Sequence, residues 1–90
     1  MRAGHYVYLV QCSDGTFYCG YAIDPVKRIQ AHNEGKGAKI LRGKLPVRLT
    51  FTRRLKTKGD ALRLELSLKR RTHEEKRSLS RHWNSKKKRS

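Results

Sequence analysis

Between His5 and Cys12 the chain is almost continuously apolar or aromatic, and Thr16 to Ala22 repeats that composition after the short break Ser13-Asp14-Gly15. Two β-rich runs around an Asp-Gly turn predict a β-hairpin. A two-residue loop at Asp14-Gly15 would pair Cys12 with Phe17, whereas a three-residue loop with Gly15 in the left-handed region would pair Cys12 with Thr16. Only the longer loop sets Val10 opposite Tyr18 and brings Tyr6, Tyr8 and Tyr18 to one face. Asp24-Pro25 then supplies an N-cap and a proline at the first helical position, opening a short helix through Asn33 that ends near Gly35. Pro46 to Thr52 alternates apolar and polar residues, which predicts a third strand with Val47, Leu49 and Phe51 on its buried face. Helical spacing returns from Asp60 to Lys69, and Thr72-His73-Glu74-Glu75 is a capping box opening a last helix that carries Leu79 and Trp83 as core positions.

Charge changes this picture of a small mixed domain. The 90 residues hold 23 Lys and Arg against 7 Asp and Glu, a formal net charge of +16. Such a length allows one core, and such an excess of cations points to a polyanionic partner, with nucleic acid the best fit. No stretch is long and apolar enough to span a membrane, and the first residues lack the pattern of a signal peptide, so an intracellular, cytoplasmic protein is expected. Cys12 and Cys19 are too few for a structural zinc site and are read as reduced thiols. Glu34 to Leu45 interleaves Gly35, Gly37 and Gly43 with Lys36, Lys39, Arg42 and Lys44, the composition of a mobile basic loop suited to phosphate contact.

Three positions invite chemistry. With residues placed at roughly 100° intervals, Glu65 falls between Leu64 and Leu68 on one side and Leu62 and Leu66 on the other. A carboxylate within an apolar arc needs a cationic partner, a metal or a route to solvent. On the first helix Arg28 and His32 stand i, i+4, away from a Val26, Ile29, Gln30 and Asn33 side. An arginine fork can clamp phosphate, and histidine can exchange protons near neutral pH. Taken singly, each has an ordinary reading as an ion pair or as solvated helix residues.

Their order is more specific than any one of them. Tyr6-Val7-Tyr8, Tyr18-Cys19-Gly20, Asp24, Arg28-Ile29-Gln30-Ala31-His32-Asn33, Gly35-Lys36-Gly37-Ala38-Lys39 and Glu65 follow one another in a pattern that resembles the GIY-YIG nuclease superfamily, most closely its small stand-alone bacterial members. Tyr6 takes the place of the first motif's glycine, and Cys19 that of the usual Ile or Val. Tyr21 stands where the related excision-repair nuclease domain has lysine. The resemblance implies an α+β fold with a three-stranded antiparallel sheet flanked by helices. Residues 1–85 would form that single domain and residues 86–90 a disordered basic tail. It also implies a metal-dependent endonuclease acting on DNA rather than RNA. Glu65 would be the metal ligand, for Mg²⁺ with Mn²⁺ able to substitute. Tyr8 would help deprotonate the attacking water, Arg28 would stabilise the phosphate, and Tyr18 and His32 would position water or phosphate. The competing reading is a non-catalytic nucleic-acid-binding module on the same scaffold.

Overall fold

The computed structural model describes residues 3–88. Three antiparallel strands, β1 (His5–Gln11), β2 (Phe17–Ala22) and β3 (Arg48–Leu55), lie in the order β2-β1-β3. Helix α1 (Pro25–Asn33) connects β2 toward β3, and α2 (Lys58–Lys69) and α3 (His73–Lys88) follow the sheet. The α+β class and the three-stranded antiparallel sheet are as the sequence predicts.

The hairpin adopts the longer loop. Gly15 has φ 87°, the Cys12 N–H donates to the Thr16 carbonyl at 2.8 Å, and Val10 faces Tyr18 while Tyr8 faces Gly20. Asp14 locks the turn by accepting from the Thr16 N–H at 3.0 Å and from the Thr16 hydroxyl at 2.6 Å.

Strand β1 is central and covered on both sides, which is why its sequence reads as a run rather than an alternation. Tyr8, Val10 and Cys12 pack with Ala22, Leu41 and Val47 under α1, whereas Val7, Leu9 and Cys19 pack with Ala61 and Leu68 under α2. The two cysteines, both free and buried, therefore belong to opposite faces.

Strand β3 departs from the predicted single buried face. A bulge sets Phe51 opposite Leu9 but Leu49 opposite Val10, leaving Thr50 as the extra residue. Val47 and Leu49 thus join the α1 side, while Phe51 joins the α2 side. The buried Thr50 hydroxyl donates to the Leu9 carbonyl at 3.3 Å and accepts from the Ser80 hydroxyl of α3 at 2.9 Å, so no polar atom is stranded at the irregularity.

Helix ends follow their capping residues. The Asp24 carboxylate accepts from the Lys27 N–H at 3.2 Å at the start of α1, and Gly35, with φ 79°, closes its end. Helix α2 starts two residues before Asp60, because the Thr57 hydroxyl accepts from the Asp60 N–H at 3.0 Å. Its sheet-facing stripe is Ala61, Leu64 and Leu68; Leu62 and Leu66 are 44% and 53% exposed, which corrects the apolar arc drawn on both sides of Glu65. A helix lying on one face of a sheet has one contact side, and the second pair of leucines falls beyond it. The capping box of α3 closes reciprocally, Thr72 N–H to Glu75 at 2.9 Å and Glu75 N–H to Thr72 at 3.1 Å. Leu79 packs into the α2-side cluster, and Trp83 is half-buried, lining a depression with Phe51 and Leu79. The backbone of α3 continues through Lys88, where the sequence predicts a disordered tail from residue 86; residues 89–90 lie outside the described residues.

The predicted mobile basic loop is instead a 3₁₀ segment, Lys39–Lys44, anchored by Leu41 in the core. Both the backbone N–H and the hydroxyl of Ser13 donate to the Lys44 carbonyl at 2.9 Å. Asn33 grips the next stretch, accepting from the Val47 N–H at 2.7 Å and donating to the Val47 carbonyl at 3.0 Å across a cis Leu45–Pro46 connection. Among the described residues, no helix is long and apolar enough to cross a membrane.

Candidate active site

The pairing of β1 with β2 places Tyr8 beside Gly20 on the face that α1 covers. A Cβ at Gly20 would sit on the Tyr8 ring, 2.5 Å from Cζ and closer still to the hydroxyl, so only glycine lets the phenol cross β2. On α1, His32 is 1% exposed and points into this layer, so the ordinary reading of His32 and Arg28 as solvated helix residues holds for Arg28 alone. Val26, on the side away from that pair, is 52% exposed. The segment after α1 passes directly over the imidazole, where a Cβ on Gly37 would collide with the ring, 2.7 Å from Cε1.

This crossing fixes the proton on His32. The backbone N–H of Ala38 donates to Nδ1 at 3.2 Å, and an N–H can only donate, so Nδ1 is the acceptor and the neutral ring carries its hydrogen on Nε2. Nε2 lies 2.9 Å from the Tyr8 hydroxyl and accordingly donates to it. The Arg28 guanidinium lies near enough to the Tyr8 hydroxyl to favour its ionised form. One donor and one neighbouring cation thus act on the same phenolic oxygen. Tyr18 completes the cluster, edge-on to His32 with centroids 5.8 Å apart and tilted toward Tyr8 at 6.5 Å.

Burial governs the charge states. It pushes the Tyr8 phenol up to about 12, against the opposing pull of the neighbouring Arg28 guanidinium. Burial, and then the Arg28 cation, hold His32 below its ordinary value, so the imidazole is neutral at pH 7. Around neutral pH the cluster is a neutral phenol, a neutral imidazole and one exposed guanidinium.

Glu65 stands in the other layer, on α2, and reaches the sheet at its β2 edge. Its backbone carbonyl accepts from the Cys19 thiol at 3.7 Å, and its carboxylate pairs with Lys69 at 3.1 Å. The Glu65 side chain is 16% exposed and that of Lys69 54%. Lys69 is close enough to Tyr18 and Cys19 for their charged forms to act on it, so the Glu65–Lys69 pair borders the aromatic cluster around the sheet edge. Burial raises the Cys19 thiol to about 11, and the Glu65 carboxylate adds to the shift, which leaves the thiol protonated and unreactive. The structure therefore packs Tyr8, Tyr18 and His32 together with the Arg28 cation near them, and holds Glu65 in the other layer against Cys19 of β2.

Of the loop cations, Lys36 lies 3.9 Å from Glu34 and Lys44 3.7 Å from Asp14, while Lys39 and Arg42 are exposed without a carboxylate partner among the described residues. Sequence reasoning quoted Gly20, Gly37 and Ala38 only as pieces of a pattern. Their roles as clearance for two rings and as the donor that sets a tautomer need the packed structure. No spacing signal reveals Lys69 as the partner of Glu65 beyond the i, i+4 relation itself.

A tyrosine pair on one sheet face, read by an arginine and a histidine from the following helix, is the arrangement of a known class of nuclease. The family model described as the GIY-YIG catalytic domain matches residues 4–78, and the chain belongs to this family. Within it, the chain is similar to small UPF0213 proteins. It is 43% identical over 75 residues to one from Halobacterium salinarum, covering 83% of this chain and 97% of that one. It is 44% identical over 71 residues to one from Streptococcus agalactiae, covering 79% and 81%. Solution structures agree. A UPF0213 protein of Bacillus halodurans superposes with a TM-score of 0.53 at 43% identity over 83% of this chain and 80% of its own. A protein from E. faecalis gives 0.61 at 33% identity over 93% and 92%. Membership of a nuclease family makes nucleic acid the substrate class.

Proposed function

We propose that the protein is an endonuclease that hydrolyses DNA phosphodiester bonds with one divalent cation, Mg²⁺ or in its place Mn²⁺, at branched or otherwise structured sites of the kind met in repair and recombination. The observation that carries this reading is the Tyr8 hydroxyl held by the Nε2–H of His32 with the Arg28 guanidinium beside it. One accepted hydrogen bond leaves a lone pair and the phenolic proton for a reacting group, and both the bond and the cation favour the phenolate. With a value of about 12 the phenol keeps its proton at neutral pH, so its part is to orient the attacking water, and it could take a proton only after a further cation had helped it ionise. Arg28, exposed and planar, would receive the phosphate in two-point fashion and offset the charge that develops on it. Tyr18 would hold water or a phosphate oxygen through its hydroxyl.

The residues fit a one-carboxylate metal site. Among the described residues no three His, Cys, Asp or Glu side chains gather, so the protein offers a hard oxygen donor, Glu65, and leaves the other positions to water and phosphate oxygens, the habit of Mg²⁺. A cation held there would polarise the scissile phosphate oxygen and lower the barrier to deprotonating water. Glu65 is partly open, and its half-exposed Lys69 partner can swing aside.

The same ion pair favours a second reading, a binding module in which Glu65 is only structural. Incubation of the full chain with Mg²⁺ or Mn²⁺ and a panel of duplex, flap, branched and single-stranded DNA decides between them. Cleavage that disappears in Glu65→Ala supports the nuclease; binding without cleavage on every substrate and with either metal supports the module.

A further inference from the structure

Cations without a carboxylate partner among the described residues gather at the end of the sheet as well as in the basic loop. A depression of about 390 Å³ is lined by Gly4, His5, Arg54, Leu55 and Lys56, where β1 begins and β3 ends. A second, of about 370 Å³, opens between the end of β2 and α1, where Lys27 and Arg28 line it together with Tyr21, Ala22 and the Asp24 carboxylate. Gly4 N–H to the Ile23 carbonyl, 3.1 Å, and His5 Nδ1 to the Tyr21 hydroxyl, 2.8 Å, tie the two together as neighbours across a low ridge. Lys58 at the start of α2 lies 5.8 Å over the Tyr21 ring, so the ridge itself carries a cation.

We propose that this sheet end is the surface that holds the nucleic-acid strand beyond the scissile phosphate, running from Arg28 over the Tyr21 ridge to Arg54 and Lys56. The inference rests on the nuclease reading for its starting point at Arg28. Three observations support it. Arg28 is shared between the candidate active site and the second depression, so a backbone bound at the one continues into the other. Lys27, Arg54, Lys56 and Lys58 make no ion pair with any described carboxylate; in the loop Lys39 and Arg42 are likewise unpaired, but Lys36 and Lys44 each have a partner. An unpaired cation gives its full charge to a phosphate, and a paired one must first give up its partner. The span also suits the ligand: two strand spacings of roughly 4.8 Å separate β2 from β3, about the axial rise of three nucleotides at roughly 3.4 Å each. The held Tyr21 ring, stacked by His5 at 6.1 Å and capped by Lys58, is a rigid step over which a backbone can pass.

The test is fluorescence polarisation of the full chain with a fluorescein-labelled 21-nucleotide DNA, single-stranded and as duplex, across a salt series. The variant Arg54→Gln/Lys56→Gln/Lys58→Gln is compared with Lys36→Gln/Lys39→Gln/Arg42→Gln, which removes the same number of charges from the loop. The sheet-end variant should bind at least tenfold more weakly at low salt, with the slope of log K against log salt reduced by about 2 to 3, and the loop variant should lose less than half of that slope change. The charge-conserving Arg54→Lys/Lys56→Arg/Lys58→Arg should bind as wild type, and Lys56→Gln/Lys58→Gln spares the Arg54 contact with the Ala3 carbonyl should the triple variant unfold. Equal or greater losses in the loop variant, or no binding by wild type, overturn the proposal. Cleavage by wild type with unchanged salt slope in the sheet-end variant overturns this surface alone; a lowered slope with no cleavage by wild type overturns the nuclease reading and leaves the surface standing.

Discussion

The Tyr8 hydroxyl and the His32 imidazole are joined at 2.9 Å, and the partner on the far side of the ring decides which of them donates. With the Ala38 N–H on Nδ1, His32 is a donor to Tyr8 and not the acceptor of its proton. The histidine is thus a positioning residue. It holds the phenol in place and leaves the phenolic proton facing away.

His32→Ala should therefore harm both stability and turnover. Loss of a buried ring leaves the Ala38 N–H and the Tyr8 hydroxyl short of a partner, a cost of roughly 2–4 kcal/mol in urea unfolding. His32→Gln, which can restore one hydrogen bond, should recover part of it. Equal stability of His32→Ala and wild type would contradict the buried network.

Acid should loosen the fold through the same residue. Burial and Arg28 lower the folded-state value of His32 below the ordinary 6.5, so its contribution is complete above the unfolded value and fades as pH falls through the folded one. Thermal melts at pH 7 and pH 5 should show a larger drop for wild type than for His32→Gln. Matching drops would mean that the imidazole does not carry this linkage.

Glu65 and Lys69 can be separated by removing each side of their ion pair. A half-exposed pair of this kind contributes about 0–1 kcal/mol, so Glu65→Gln and Lys69→Met should melt close to wild type. Cleavage should vanish in Glu65→Gln and persist in Lys69→Met, with DNA affinity of Glu65→Gln unchanged or slightly higher because a negative charge has gone. Parallel loss of activity in both variants would make the pair, rather than the carboxylate, the functional unit.

Adding one methyl group at either crossing point should disturb the aromatic cluster. Gly20→Ala drives a Cβ into the Tyr8 ring and Gly37→Ala into the His32 ring, and neither ring is at a flexible end. Overpacking of this sort costs typically about 1–3 kcal/mol. Gly43→Ala, whose Cβ would meet nothing within 4 Å, is the control and should melt as wild type.

Much of this molecule is legible in the order of its residues. Turn chemistry at Asp14-Gly15, the Asp24-Pro25 start and the Thr72 to Glu75 box are local features, and each appears in the fold as read. The hairpin register itself was open until the three-residue loop decided it. What only the tertiary structure decided depends on which layer covers which face. Thr50 becomes a bulge because β3 must serve α1 with Val47 and Leu49 and the α2 layer with Phe51. Leu62 and Leu66 stay outside because α2 meets the sheet along one stripe, and Leu41 turns a glycine-rich basic stretch into an anchored 3₁₀ segment. His32 looks like a solvated helix residue by its spacing, and it is buried because β1 and β2 bring Tyr8 beneath it while Gly37 lets the chain close above. Periodicity and capping act over a few residues, whereas burial is set by segments 20 to 50 positions away, such as the Tyr8–His32 and Cys19–Glu65 contacts across |i−j| of 24 and 46.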